Sequence, residues 1–511
     1  MNASMHTETA GRKLAHRSPW LLIAILLHVG VIAVASILYF EHGSAPDDSS
    51  PTTITLTAAR PLVEMPPIEI IDHNLVPKMQ EDEDIVPNEL TFDPEAATDS
   101  EASETGDPLA AELASMPGDN GGGTAIGRGP GVYCSAPSGI TGKPGGPFRA
   151  RFNPAAKKST GIGEAGSKAV RRGLEWLRAH QDEDGHWDAD QFMKHDKDGE
   201  PCTGPGNGTH DVGVTGLALL AFLGEGNTLR QGHFRQVVRK GVRWLTEQQN
   251  ESGLVGTMSS QSFLYSHALA TLALCEAYGL SDYRPLREPA QRAANYITLA
   301  RNPYGVWRYE LRSVDGDSSI SAWMVQALLS AKSFGLQVDD SSLKNATVFF
   351  DGVTDPATGA AGYTKAGEGS SRPVGKADRF PAAKTEALTS AVLLCRCLLH
   401  HDQPNDKVMQ LATDRILKQP PVWNEADGSI DMYYWYYASY AMFQVSGKPW
   451  DTWSRKMKKA VVDTQQLQGN ACGSWNPVDA WGDEGGRVYS TAMMVLCLEA
   501  YYRYDRVLGA R

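Results

Sequence analysis

Three groupings of side chains in this sequence are of types that do chemistry. The first is residues 187–210, where Asp188, Asp190, His195, Asp196, Asp198, Cys202 and His210 crowd a stretch rich in Gly and Pro, with His186 and Asp211 at its ends. Carboxylates, imidazoles and a thiol at this density suit a divalent metal or acid–base work. Their spacing matches no defined ligand signature, so no metal is assigned, and a connection of this length is polar by default. The second grouping is aromatic. Residues 433–437 read Tyr-Tyr-Trp-Tyr-Tyr. Tyr433, Tyr434, Trp435 and Tyr436, together with Tyr265, Trp307, Tyr309, Trp323, Tyr363 and Tyr489, would line a broad, partly apolar cavity with polar tips. An isoprenoid, a glycan or an extended peptide suits such a surface, and packing between helices accounts for a share of the rings. The third is Asp315-Gly-Asp317-Ser318-Ser319, placed directly before an apolar helical run. Asp317 and Ser318 read there as residues that open a helix by accepting its first free N–H groups.

What positions these groups is an internal repeat. Residues 172–187 follow the pattern basic, small, two variable, aromatic, aliphatic, three variable, Gln, three variable, Gly, variable, Trp. Residues 240–253 and 292–307 repeat it, and weaker copies start near Lys344, Lys407 and Lys459, the last ending Gly473-Ser-Trp475. Repetition of this kind sets the architecture before any motif is weighed. Val170, Leu174 and Leu177 fall on one helical face, with Lys168, Arg171, Arg172 and Arg178 on the other. Gly185 breaks the helix, and Trp187 is placed to fold back over its end. A second, more apolar helix follows each copy, over 212–223, 263–278, 319–334, 386–399, 433–445 and 490–504. Outer helices with one apolar face and inner helices apolar all round predict two concentric rings. The expected fold is an all-α (α/α)6 toroid over residues 165–511, closed so that first and last hairpins touch. An open solenoid is the competing arrangement, and it would leave one face of each inner helix wet.

The repeat closely resembles the QW repeat of the squalene cyclase and protein prenyltransferase superfamily. Over about two-thirds of its length the chain is similar to the single-barrel, membrane-anchored squalene cyclase-like proteins of some bacteria, notably planctomycetes. That resemblance implies a fold and a cavity more than an activity. Class II triterpene cyclases protonate an alkene with an Asp in the motif D-x-D-D-T-A. Asp317 stands at the position of the proton donor and Asp315 at that of the first Asp, while Ser318 and Ser319 replace the next Asp and the Thr. Loss of an acid beside the donor weakens what must be an unusually strong acid. These cyclases also place their cavity between two barrels, and this chain has residues for one. Zinc-dependent prenyl transfer, the superfamily's other chemistry, uses Asp and Cys two apart with a His some sixty residues later. Cys472 has Asn470 two residues before it, and no His follows His401. Barrels of this type also occur in polysaccharide-degrading enzymes, where facing carboxylates act. Asp211, Asp317 and Glu386 are all expected at inner-helix N-termini and would line one rim.

Ahead of the repeats the chain changes character. Residues 1–18 read as a cytoplasmic tail and 19–40 as a transmembrane anchor. Trp20 to Phe40 is apolar except at His28, Gly30 and Ser36, long enough at about 1.5 Å per residue to cross a bilayer core. A cleaved signal peptide would have a shorter apolar region and a small-residue cleavage site. Arg12, Lys13 and Arg17 precede the span, and Glu41, Asp47 and Asp48 follow it, which predicts a cytoplasmic N-terminus and an extracytoplasmic barrel. Residues 41–164 read as a disordered linker, acidic and then rich in Gly and Pro. Positions 45–120 hold 18 acidic and 2 basic residues, a balance of −16 against −12 for the whole chain. Such composition cannot build a core and reaches on the order of 50 Å as a tether. No basic stripe with interleaved aromatics occurs, so no nucleic-acid partner is expected. Pro19-Trp20, His28 and the segment Thr53-Ile-Thr-Leu-Thr57 are similar to the N-terminus of TonB-type energy transducers, although Ala24 stands where that family has Ser. The similarity implies a proton-channel complex contacted through His28; a tolerated His in a simple anchor is the other reading.

Of the seven cysteines, Cys275, Cys395, Cys397 and Cys497 fall on apolar helices as small core residues. Cys134, Cys202 and Cys472 fall in loops, and a Cys202–Cys472 bridge is conceivable in an oxidising compartment. No cofactor is implied. The expected function is a tethered module that binds a lipid-like or polymeric ligand in an aromatic cavity. A cyclase-like enzyme using Asp317 as general acid and a polysaccharide-processing enzyme are the alternatives.

Overall fold

The computed structural model describes residues 148–260, 262–399 and 406–504; the anchor, His28, Cys134 and most of the linker lie outside them. Among the described residues no helix is long and apolar enough to cross a membrane. Two short helices, α1 (Arg149–Phe152) and α2 (Pro154–Ser159), lead into six helical pairs. The outer members are α3 (Gly163–Ala179), α5 (Arg235–Glu247), α7 (Arg287–Ala300), α9 (Asp340–Val353), α11 (Lys407–Lys418) and α13 (Gly447–Val462). The inner members are α4 (Asp211–Gly224), α6 (Phe263–Ser281), α8 (Ser318–Ser333), α10 (Ala387–Leu398), α12 (Met432–Val445) and α14 (Gly482–Glu499). Each inner helix packs on the next, α14 returns to α4, and α13 reaches α3. The ring is closed, which excludes the solenoid. Burial follows the sequence pattern: α3 buries one face, while α6 is buried along almost its whole length.

The repeat residues make the same bonds in successive copies. Trp187, Trp307 and Trp475 each donate the indole N–H at 2.7 Å to a carbonyl in the last turn of the preceding outer helix, those of Leu177, Ile297 and Val461. Carbonyls of a helix's last turn lack the regular partner four residues on, so each Trp caps its own outer helix from the side. The glutamines link neighbouring pairs. Gln181 donates to Gly185 O (2.8 Å) and to Val237 O in α5 (3.0 Å). Gln249 donates to Gly253 O (3.2 Å) and to Pro289 O in α7 (3.0 Å). Gln465 donates to Gly473 O and, at 2.8 Å, to Ala169 O in α3, which ties the last pair to the first. Gly185, Gly253 and Gly473 have φ of +111°, +93° and +99°, and a Cβ on any of them would stand 2.3 Å from a carbonyl oxygen of the next outer helix. Only glycine satisfies both conditions.

Two sequence boundaries shift. The packed unit begins before residue 165, because Phe148, Arg151 and Ile162 are buried. The last inner helix starts at Gly482 instead of 490 and ends at Glu499 instead of 504, with a break at Gly486 (φ +65°) where the backbone lies against Gly206. Residues beyond it turn into the bore. At the C-terminal end of the inner ring, Glu276 Oε2 receives Arg151 Nη1 and Arg503 Nη2, both at 2.8 Å, and Oε1 receives the Tyr504 hydroxyl at 2.6 Å. α6 and the segment after α14 are not ring neighbours, so these bonds cross the bore and close that end. Midway, α8 and α12 also meet across it: Trp323 stacks on Tyr436 at 5.0 Å, and Gln326 bonds the hydroxyls of Tyr436 and Tyr437.

Candidate functional site

The remaining end of the ring, at the N-termini of the inner helices, gathers most of the accessible aromatic hydroxyls. Asp317 caps α8, as its place in the sequence suggests: Oδ1 receives Ile320 N–H at 2.8 Å. Its Oδ2 receives the Tyr363 hydroxyl at 3.1 Å, and that hydroxyl is hydrogen-bonded in turn to the hydroxyl of Tyr309. Ser319 Oγ and the Tyr433 hydroxyl lie 2.8 Å apart, and the ring of Tyr265 sits 6.2 Å from that of Tyr309. Burial first, and then the negative charge of nearby Asp317, raises the Tyr265 hydroxyl. One phenol hydroxyl therefore bonds the carboxyl, a second bonds the first, and Tyr265 and Tyr433 stand beside them. Asp317 is fully buried, whereas Tyr265, Tyr309, Tyr363 and Tyr433 are half-buried. Burial nevertheless pushes the hydroxyls of Tyr265 and Tyr433 well above the ordinary phenol range. The four partly exposed tyrosines stand at this end of the bore, above the Trp323–Tyr436 stack that fills it, and this shallow end is the tyrosine recess.

Burial raises the Asp317 carboxyl to about 6, against the pull of Ile320 N–H, the Tyr363 hydroxyl and the charge of Arg308. Asp315 does not reinforce it. Its carboxylate is held by Arg308 and by Ser313 Oγ at 3.2 Å. A single carboxyl near 6 that accepts two hydrogen bonds is a weak acid, which is the wrong direction for protonating an alkene. It can exchange a proton with a bound hydroxyl near neutral pH.

Two further carboxyls at this end escaped the sequence reading. Asp431 caps α12, with Oδ1 on Tyr434 N–H at 2.9 Å and Oδ2 on Arg372 Nη2 at 3.1 Å. Asp479 Oδ2 receives Met432 N–H at 2.9 Å and the Tyr489 hydroxyl at 3.3 Å. Burial, helped by the negative charge of Asp431, pushes Asp479 up to about 7. Trp481, half-buried, stands 6.5 Å from Tyr433 and extends the aromatic surface toward them.

The other sequence candidates divide. Trp323 and Tyr436 lie in the filled bore beneath the recess, and Tyr489 backs Asp479. Trp307, Tyr434 and Trp435 do not line it. Trp307 is the fully buried cap of α7, Tyr434 donates to Gln419 O (2.8 Å) at the end of α11, and Trp435 packs on Trp423. In an aromatic run, all of it buriable, helix phase alone decides which rings face inward. Glu386 is bonded to Arg415 of α11 at 2.7 Å and to Thr389. Asp211 accepts Ala189 N–H at 2.9 Å, and burial raises it to about 6, with the charges of Asp188 and Asp190 adding to the rise. In the connecting loop, Lys194 Nζ sits between Asp182 (2.6 Å) and Asp188 (3.0 Å) and supplies the cation there. Cys202 is a buried free thiol and Cys472 an exposed one, so the conceivable bridge between them is not formed.

No protein-family model and no curated protein sequence matches the chain. Solved structures resemble its fold. An inactive variant of an α-1,6-mannanase of Salegentibacter, in complex with α-1,6-mannotetrose, is similar with TM-score 0.43 and 10% identity, over 66% of this chain and 99% of that one. A type II terpene cyclase from Scytonema bound to geranylgeranyl dihydroxybenzoate gives 0.42 and 14%, over 66% and 97%. A cellobiose 2-epimerase from Bacillus thermoamylovorans gives 0.42 and 15%, over 66% and 98%. At these values the likeness concerns the ring of helices; the toroid itself rests on the closure described above.

Proposed function

We propose that this chain is a membrane-tethered, extracytoplasmic binding module whose tyrosine recess holds a polyhydroxylated polymer such as a glycan. The observation that carries this reading is the cluster of partly exposed Tyr265, Tyr309, Tyr363 and Tyr433 beside Asp317 at the N-terminal end of the inner ring. Half-exposed rings offer flat apolar faces for sugar rings, and their hydroxyls both donate and accept. An isoprenoid would need a deep apolar enclosure, and Trp323, Tyr436 and Tyr437 occupy the bore where one would lie. Phe148 and Arg151 are buried at the C-terminal end of the inner ring, the end opposite the recess.

A second reading rests on two carboxyls buried at this end of the ring, Asp317 and Asp479, which burial raises to about 6 and about 7. Carboxyls in that range serve as acid and base in glycan cleavage. A glycan array probed with the purified protein tests the first reading, and sugar release by wild type, Asp317→Asn and Asp479→Asn tests the second. Retention of glycan without release supports binding; release abolished by either variant supports hydrolysis. Retention of lipid alone, read by mass spectrometry, would overturn both.

A further inference from the structure

The C-terminus of the first outer helix carries a group of side chains that neither ring packing nor the recess uses. His180 follows α3, and its ring stacks on Trp176 at 4.0 Å. Its Nδ1 lies 2.8 Å from Trp176 O, a carbonyl that can only accept, so Nδ1 carries the proton. Nε2 then presents its lone pair to Asp196 Oδ1 at 3.2 Å. In the neutral ring this sets an acceptor against an acceptor, which is unfavourable unless a proton or a metal cation stands between them. Cys202 completes the group: its N–H binds Asp196 Oδ2 at 2.6 Å, and its thiol, Nε2 of His180 and the Asp196 carboxylate lie within 4.8 Å of one another. All three side chains are buried, His180 at 4% and Cys202 at 5% exposure, with the Asp196 side chain at 7%.

We propose that His180, Asp196 and Cys202 bind a divalent transition metal, with zinc the ion best suited to one imidazole, one carboxylate and one thiolate. Zinc bonds of about 2.0–2.3 Å place tetrahedral ligand atoms roughly 3.3–3.8 Å apart, within reach of this arrangement. The bond from Nδ1–H to a backbone carbonyl is the outer contact that orients a ligating imidazole. Burial and the Asp196 carboxylate push the Cys202 thiol up to about 12, and the charge of Arg487, held by Thr203 O (2.8 Å), Thr203 Oγ1 (3.2 Å) and Ser474 Oγ (3.0 Å), offsets only part of that rise. Binding releases the thiol proton of Cys202 to solvent. The spacing, a His at the end of an outer helix with Asp and Cys 16 and 22 residues later, differs from the prenyltransferase pattern. A metal here would pin the 31-residue connection between α3 and α4 (180–210) to the barrel. Connections of such length need an anchor to stay ordered.

The test uses the full chain, purified and loaded with zinc or cobalt(II) salt alone. The expected result is about one metal per chain. Cobalt should give a thiolate charge-transfer band and tetrahedral visible bands that Cys202→Ser removes and Cys472→Ser leaves unchanged. His180→Gln should weaken zinc binding at least about a hundredfold. Zinc should also block alkylation of Cys202 in the wild-type protein while Cys472 still reacts, a readout that survives if a variant does not fold. The proposal is overturned if metal stays well below stoichiometric, if the cobalt band follows Cys472, or if zinc leaves Cys202 alkylation unchanged. Those results would leave His180 and Asp196 as a plain ion pair, and they do not bear on the tyrosine recess.

Discussion

Glu276→Gln removes the anion held between Arg151 and Arg503 while keeping its shape. Oε2 receives both guanidinium groups at 2.8 Å, and the side chains of Glu276, Arg151 and Arg503 are at most 1% exposed. Removing one partner of a buried pair costs about 3–5 kcal/mol, because the remaining charge is left without a counterion. Spread over an unfolding entropy of about 2.1 cal/mol/K per residue for roughly 350 packed residues, this lowers Tm by about 4–7 °C. The pH dependence has a definite sign. Burial by itself would raise the Glu276 carboxyl, but Arg151 and Arg503 outweigh it and hold the group at about 2. Its contribution is thus complete above the unfolded value of about 4.3 and is lost as pH falls toward 2. Scanning calorimetry of wild type and variant should show the full gap at pH 7 and a narrowing gap below about pH 4. Replacing Glu276, Arg151 and Arg503 together by Met, with Glu499→Gln because Glu499 also bonds Arg503 at 2.9 Å, should recover much of the loss, since no charge is then stranded. A Glu276→Gln protein that melts within about 1 °C of wild type at pH 7 would refute the account of this plug.

Two other predictions address the ring and the recess. Gly473→Ala combines a left-handed φ with a Cβ 2.3 Å from Arg172 O, whereas Gly469→Ala at φ +63° meets no atom within 4 Å. Chemical denaturation should show a loss of about 1 kcal/mol for Gly469→Ala and about 2–4 kcal/mol for Gly473→Ala; equal losses would mean that the ring does not close there. Asp317, raised from 3.8 to about 6, subtracts stability as pH climbs between those values and keeps it subtracted above them, by about 3 kcal/mol. Asn retains the cap, so Asp317→Asn should match wild type at pH 4 and melt higher at pH 8; a lower Tm at pH 8 would contradict the assignment.

The ring was legible in the sequence because its determinants are local and repeated. Gln181, Gln249 and Gln465 with their glycines, and Trp187, Trp307 and Trp475, make matching bonds in the copies that carry them, so pattern and structure share one period. Even the third copy, which has Arg301 in place of Gln, reaches the next outer helix through Asp339 and Ser342. The last inner helix begins earlier than its apolar run suggests, because residues 482–489 join it across a non-helical Gly486. Tyr265, Tyr309 and Tyr433 were found by residue type, but nothing local separates Tyr433 from Tyr434 except phase around the helix. Asp431 and Asp479 were missed because their partners, Arg372 and Tyr489, are brought to them by the fold. The same holds for His180, Asp196 and Cys202: the sequence shows a dense polar loop, and the end of α3 supplies the geometry.

The most direct test of the recess is calorimetric titration with the oligosaccharide best retained on the array, comparing wild type with Tyr265→Ala/Tyr433→Ala and with Tyr304→Ala, a ring 55% exposed that takes no part in the recess. Each stacked ring contributes about 0.5–1.5 kcal/mol, so the double variant should bind roughly tenfold or more weakly while Tyr304→Ala binds as wild type. Unchanged affinity in the double variant, with its fold intact by circular dichroism, would show that the ligand binds elsewhere and that the tyrosine recess is not the functional site.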